Sequence, residues 1–177
     1  MGLYVYRVLG AAMLDAGMYE GIENDRRTTT QAALTVVLAS LAAGIGAGDI
    51  LGTRATTLAA ITALALVTWC AWAMLILQIG TRVLPGPATR ADWGQLLRTT
   101  GFAAGPGLLQ IFGLIPQGRA WVFAVTGLWM FVAMVVGVKH ALDYEGGLRS
   151  LVVCGVAIAL IAVLAFGASA LMAPGLY

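Results

Sequence analysis

The sequence predicts an all-α fold: a polytopic membrane helix bundle of five transmembrane helices with an N-terminal amphipathic helix. Three observations predict it. Of 177 residues, 60% are hydrophobic and only 10% charged, with a mean hydropathy of +0.92. Five stretches of bilayer-spanning length contain no Asp, Glu, Lys or Arg. The charges that do occur collect between those stretches, with a strong bias to alternate gaps. A water-soluble domain is nearer half apolar and a quarter charged. Too few charged side chains are present to cover a water-facing surface, which excludes a soluble domain, a disordered chain and a nucleic-acid binder. Two cysteines are too few for a disulfide scaffold.

A helix needs about 20 apolar residues to cross the hydrocarbon. The five stretches run at about residues 30–48, 56–80, 99–118, 120–138 and 151–173. They divide the chain into a head, 1–29, and one five-span membrane domain, 30–177. The second, fourth and fifth are rich in Leu, Ile, Val, Trp and Met. The first is rich in Ala and Gly. The third carries Pro106 near its middle, together with Gln110 and the glycines 101, 105, 107, 113 and 118. An internal proline removes a backbone hydrogen bond and its ring clashes with the preceding turn. Such a helix persists in lipid only where neighbours satisfy the freed backbone groups. The third span is therefore expected to be kinked and packed inside the bundle.

In the head, Arg7 and Asp15 interrupt the apolar run, so it does not read as a signal peptide. Val5, Val8, Leu9, Ala12, Met13 and Ala16 recur at helical spacing, with Arg7, Ala11 and Asp15 opposite. This predicts an amphipathic helix in the interface plane. A frayed tail or a helix docked on the bundle is the alternative.

Five spans put the termini on opposite sides. With the head inside, the inner segments hold eight basic residues (Arg7, Arg26, Arg27, Arg82, Arg90, Arg98, Lys139, Arg149) and the outer ones two, Arg54 and Arg119. The positive-inside rule then gives a cytoplasmic N-terminus and an outside C-terminus at Tyr177.

The spans are poor in chemistry. His140, the only histidine, ends the fourth span beside Lys139, with Asp143 and Glu145 following. A histidine near a carboxylate titrates near neutral pH, so a proton relay is one reading and a polar cap on the helix end is the plainer one. Cys70 and Cys154 fall inside spans without the further ligands a metal would need. No metal and no cofactor is expected. Ionisable groups at membrane depth are the usual mark of a transport path, and no span has one. No nucleophile has a base nearby, so the chain does not read as an enzyme. Small residues recur four apart at Gly44/Gly48, Ala59/Ala63, Gly101/Gly105 and Ala133/Gly137, a spacing that lets helix backbones approach closely.

The third span reads Thr100-Gly101-Phe102-Ala103-Ala104-Gly105-Pro106 and continues to Ile115-Pro116. A hydrophilic turn leads to a Trp-bearing span, Trp121 to Val138, that exits through Gly137-Val138-Lys139-His140-Ala141. Gly147-Leu148-Arg149-Ser150 opens the last span, and Tyr19-Glu20-Gly21-Ile22-Glu23-Asn24-Asp25 stands before the first. This pattern resembles the Yip family, named for membrane proteins that interact with Ypt/Rab GTPases, in its short bacterial form. The resemblance implies a multi-pass protein of the bacterial inner membrane that acts by recruiting partners, with no catalytic residue.

Two functions are consistent with these readings. The first is a non-enzymatic scaffold or accessory protein, associating laterally with itself or with a larger inner-membrane complex. Its partners would be the lipid bilayer and a membrane protein or second copy. The second is a small transporter or channel built on the broken third span, since discontinuous helices line transporter sites. Candidate contact residues are Gly101, Pro106 and Gln110 in the third span, and Lys139, His140, Asp143 and Arg149 at the inner end of the fourth.

Overall fold

A computed structural model describes residues 2–48, 55–87 and 89–172. Arg54, Ala173 and Tyr177 lie outside the described residues. Among the described residues, seven α-helices follow one another: α1 Gly2–Ala12, α2 Ala16–Asn24, α3 Thr28–Ala47, α4 Ala55–Gln78, α5 Trp93–Ala103, α6 Arg119–Ala141 and α7 Gly147–Met172. A π-helical turn, Ile79–Val83, extends α4, and a 3-10 segment, Gly105–Leu114, extends α5. Among the described residues, four helical runs are long and apolar enough to cross a membrane: Thr28–Ala47, Thr56–Val83, Arg119–Ala141 and Gly147–Leu164.

The head is two helices rather than one. Leu14 takes a left-handed φ of 63° and breaks the chain there. Asp15 then caps α2, its carboxylate accepting from the Met18 N–H at 3.1 Å, so one of the free N–H groups of the helix start is satisfied. The docked face also differs from the expected one. Val8 and Ala11 are buried while Val5, Leu9 and Met13 are exposed. Helical spacing puts Ala11 on the polar side. It faces inward because a small side chain lets α1 approach the bundle, whereas the longer apolar groups project outward.

The third apolar stretch is not one helix over 99–118. Helix α5 starts earlier, at Trp93, under a capping box: Asp92 accepts from the Gln95 N–H, and Gln95 accepts from the Asp92 N–H, both at 2.8 Å. It ends at Ala103. Pro106 has no N–H to offer the Phe102 carbonyl, and its ring would strike that carbonyl in α geometry. The chain tightens to three-residue hydrogen bonds instead, Ala104 N–H to Gly101 and Gly107 N–H to Ala104, at 3.3 and 2.9 Å. A 3-10 run of 10 residues is long for this geometry and is held by its neighbours.

The broken segment runs alongside α3. Gly101 meets Ala32, Gly107 meets Ala39, and the Gln110 carbonyl meets Gly46. At Gly46 the approach is closest: a Cβ there would collide with the Gln110 carbonyl oxygen. Helix α6 closes the other side in the opposite direction, with Phe123 against Gly113, Met130 against Gly107 and Gly137 against Thr99. The expected break is present, but interior packing covers only the first part of the stretch: Leu96 through Gly107 are all buried, whereas Leu109, Ile111, Phe112, Leu114 and Ile115 are exposed.

The head, the segments 79–87 and 89–92 and the joint 142–146 gather at one end of the bundle. The Tyr144 hydroxyl lies 3.0 and 2.7 Å from the carbonyls of Gly80 and Leu84. The Trp129 indole N–H donates to the Ala12 carbonyl at 2.7 Å, and the Tyr19 hydroxyl is 3.1 Å from the carbonyls of both Ala11 and Ala133. Outward faces are apolar, with Leu64, Val67, Trp121, Leu128, Val163 and Leu164 all exposed. In water that surface would be untenable. In hydrocarbon it is the solvated surface.

Candidate functional site at the head end of the bundle

Helix α2 lays its acidic face across the end of α6. Glu20 and Glu23 stand three residues apart, one turn of helix, and so share a face. Across from them are Lys139 and His140 at the end of α6 and Asp143 and Glu145 in the joint that follows. These groups line a pocket of about 460 Å³. Asp143 enters it from a left-handed φ of 51°. Its N–H donates to the His140 carbonyl and that of Tyr144 to the Lys139 carbonyl, both at 3.0 Å, so the chain curls back over the helix end.

Glu23 is the most confined carboxylate among the described residues. It is 8% exposed, and its Oε2 has no hydrogen-bond partner among the described residues. Burial first, then the neighbouring charges of Asp143 and Glu20, push its carboxyl up to about 7, against the opposing pull of Arg98. Arg98, on α5, is buried beneath. Its guanidinium donates to the backbone carbonyl of Glu23, from Nε at 2.9 Å and also from Nη2. The buried cation therefore holds the α2 backbone, not the carboxylate.

The remaining groups fix the frame. His140 Nδ1 is 3.8 Å from Glu20 Oε1, and the imidazole stacks on the Tyr19 ring at 6.2 Å and 2°. Burial raises the Tyr19 hydroxyl above its usual range. Arg7 of α1 pairs with Asp25 at 2.8 Å and donates to Gln31 at 3.2 Å. The Arg27 backbone N–H, and then Arg7, hold the Asp25 carboxyl below the usual carboxylate range. The Lys139 ammonium has no hydrogen-bond or ion-pair partner among the described residues.

Of the residues singled out by sequence, Lys139, His140 and Asp143 come together here. Arg149 does not join them. It turns to the Pro85 carbonyl at 3.4 Å, on the far side of Tyr144. Gly101, Pro106 and Gln110 lie elsewhere: Gly101 faces Ala32 and Trp69, Pro106 is buried, and Gln110 opens on a lipid-level cleft. That cleft, about 520 Å³, lies between α3, α4, α6 and the broken segment, and is almost wholly apolar. Sequence reasoning missed Glu20, Glu23 and Arg98 as site residues. The Glu20/Glu23 spacing was a readable signal; the approach of Arg98 to α2 was not.

Among the described residues, no three His, Cys, Asp or Glu side chains converge as metal ligands. Cys70 and Cys154 are free, the second buried.

The fold and this polar end define a multi-pass helical membrane protein whose head is tied to its bundle. The family model for the Yip1 domain matches residues 17–167, most of the chain, and the protein belongs to that family. Neither the curated proteins nor the solved structures contain a significant match to it.

Proposed function

We propose that the protein is a non-enzymatic scaffold or accessory protein of the bacterial inner membrane, acting through lateral association with itself or a larger complex. In this reading α5 and the 3-10 segment make a fifth crossing, and the head end of the bundle faces the cytoplasm. The parallel run beside α3 and the basic residues of the head and its neighbouring segments support both points.

One observation carries the association. Gly101/Gly105 and Ala133/Gly137 are used up inside the chain, against Ala32, Val8, Tyr19 and Thr99. Gly44 is half-buried and Gly48 ends α3 as its left-handed C-cap. Among the described residues, the Ala59/Ala63 step is exposed at both positions, on the outer half of α4 with Leu64 and Val67. Helix α4 is also the least buried of the spanning runs, 11% over its most apolar window. Small residues facing lipid let a second helix pack closely.

The test is cysteine cross-linking in native membranes, with Ala63→Cys introduced after Cys70 and Cys154 are replaced by Ala. Cross-linked species should form, and Ala63→Leu should reduce the particle mass measured in mild detergent. A strictly monomeric particle with no co-purifying protein overturns the reading.

The cleft at Gln110 supports a second reading, a small transporter. Flux in proteoliposomes tests it. Unchanged flux in Pro106→Ala would remove the helix break from any transport role.

A further inference from the structure

The Glu23 pocket holds a buried carboxylate oxygen with no partner, on a side chain 8% exposed. A buried acceptor left unsatisfied is costly, and the cost is removed by a donor from outside the chain. The nearest buried donor, Arg98, is committed to the Glu23 carbonyl. The cavity is about 460 Å³ and its walls add Glu20, Asp143 and Glu145 to Glu23. Its interior therefore suits a compact cation with N–H donors. A bare metal ion is a poor fit, since no set of three ligands converges there. On the same wall, Lys139 brings an ammonium group without a partner of its own. His140 is engaged with Glu20 and Tyr19. A ligand that places an anion beside its cation would meet both features.

The depth of the pocket narrows the choice. It sits where the spanning run of α6 stops, at Ala141, and therefore at the level of lipid head groups. We infer that the pocket binds a phosphoethanolamine group, its ammonium on Glu23, Glu20 and Asp143 and its phosphate on Lys139. A phosphocholine group is disfavoured, because its methylated nitrogen has no N–H for the orphaned Glu23 oxygen. The inference is independent of lateral association through α4: it concerns a different face and survives if the protein is monomeric.

The experiment uses the full chain in mild detergent and counts bound lipid by native mass spectrometry during titration. Phosphatidylethanolamine, phosphatidylcholine and phosphatidylglycerol are compared, with free O-phosphoethanolamine as a competitor. Phosphatidylethanolamine should bind about tenfold more tightly than phosphatidylcholine, the share of one charge-assisted hydrogen bond. Glu23→Gln should abolish that preference. Lys139→Ala should weaken both phospholipids and leave their ratio unchanged. Competition by the free compound at similar concentration identifies the soluble form as ligand; its failure identifies the lipid. Equal binding of the two lipids by the unaltered chain, or an unchanged preference in Glu23→Gln, overturns the inference. If Glu23→Gln does not fold, Glu23→Asp, which withdraws the carboxylate by one methylene, serves, and an unaltered preference there overturns it equally.

Discussion

The Arg98 guanidinium donates twice to the backbone carbonyl of Glu23, while an oxygen of that residue's own carboxylate stays unpaired. One residue thus supplies a structural anchor through its main chain and an unsatisfied acceptor through its side chain. The anchor joins α5, inside the bundle, to α2 in the head.

Removing the anchor should loosen the head before it unfolds the bundle. Hydrogen bonds from a charged donor contribute about 1.5–3 kcal/mol each. Arg98→Ala should therefore lower thermal stability in detergent and speed proteolysis in the α2–α3 region. Arg98→Lys should rescue only in part, because an ammonium cannot reproduce the fork of the guanidinium. Unchanged protection of that region in Arg98→Ala would refute the anchoring role.

Acidity should stabilise this protein locally at Glu23. Burial, then Asp143 and Glu20, raise the carboxyl from 4.5 to about 7 in the folded chain. A raised folded value means that folding favours the protonated form. The contribution is fully present below about 4.5 and is lost as pH rises through about 7. Unfolding temperatures in detergent across that window should fall with rising pH, and Glu23→Gln should flatten the slope. An equal slope in the variant would exclude Glu23 as its source. Addition of phosphatidylethanolamine should recover stability mainly at the alkaline end.

Gly46→Ala tests the contact between α3 and the 3-10 segment. The new methyl would collide with the backbone oxygen of Gln110, and backbone cannot swing aside as a side chain can. Overpacking of a tight site costs about 1–3 kcal/mol, and the upper part of that range is expected here. Gly127→Ala, whose position has open space around it, is the control and should be neutral or slightly stabilising.

Tyr19→Phe removes the hydroxyl that sits 3.1 Å from the Ala11 and Ala133 carbonyls. The ring and its stack on His140 remain. A loss of about 1 kcal/mol is expected for a neutral hydrogen bond, read as a lower unfolding temperature with the circular dichroism of the folded state unchanged.

Much of the polar end was legible as pieces. Lys139, His140 and Asp143 follow one another closely, so the helix end alone brings them near. Glu20 and Glu23 belong to a helix more than a hundred residues earlier, and nothing in their spacing says which element they will face. Arg149 shows the converse. It is near Asp143 in sequence, yet the turn at Tyr144 points it toward Pro85.

By itself the sequence determined the solvent of this protein, its helical class, four of its long apolar runs and the break near Pro106. Those follow from composition, run length and the chemistry of one imino acid, all local properties. Only the tertiary structure decided that the third stretch shifts from α to 3-10 geometry at Gly105, which small-residue steps are consumed internally, and that Glu23 is buried without a partner. Each depends on how closely distant segments approach, and that distance is set by packing across the bundle and not by the order of residues along it.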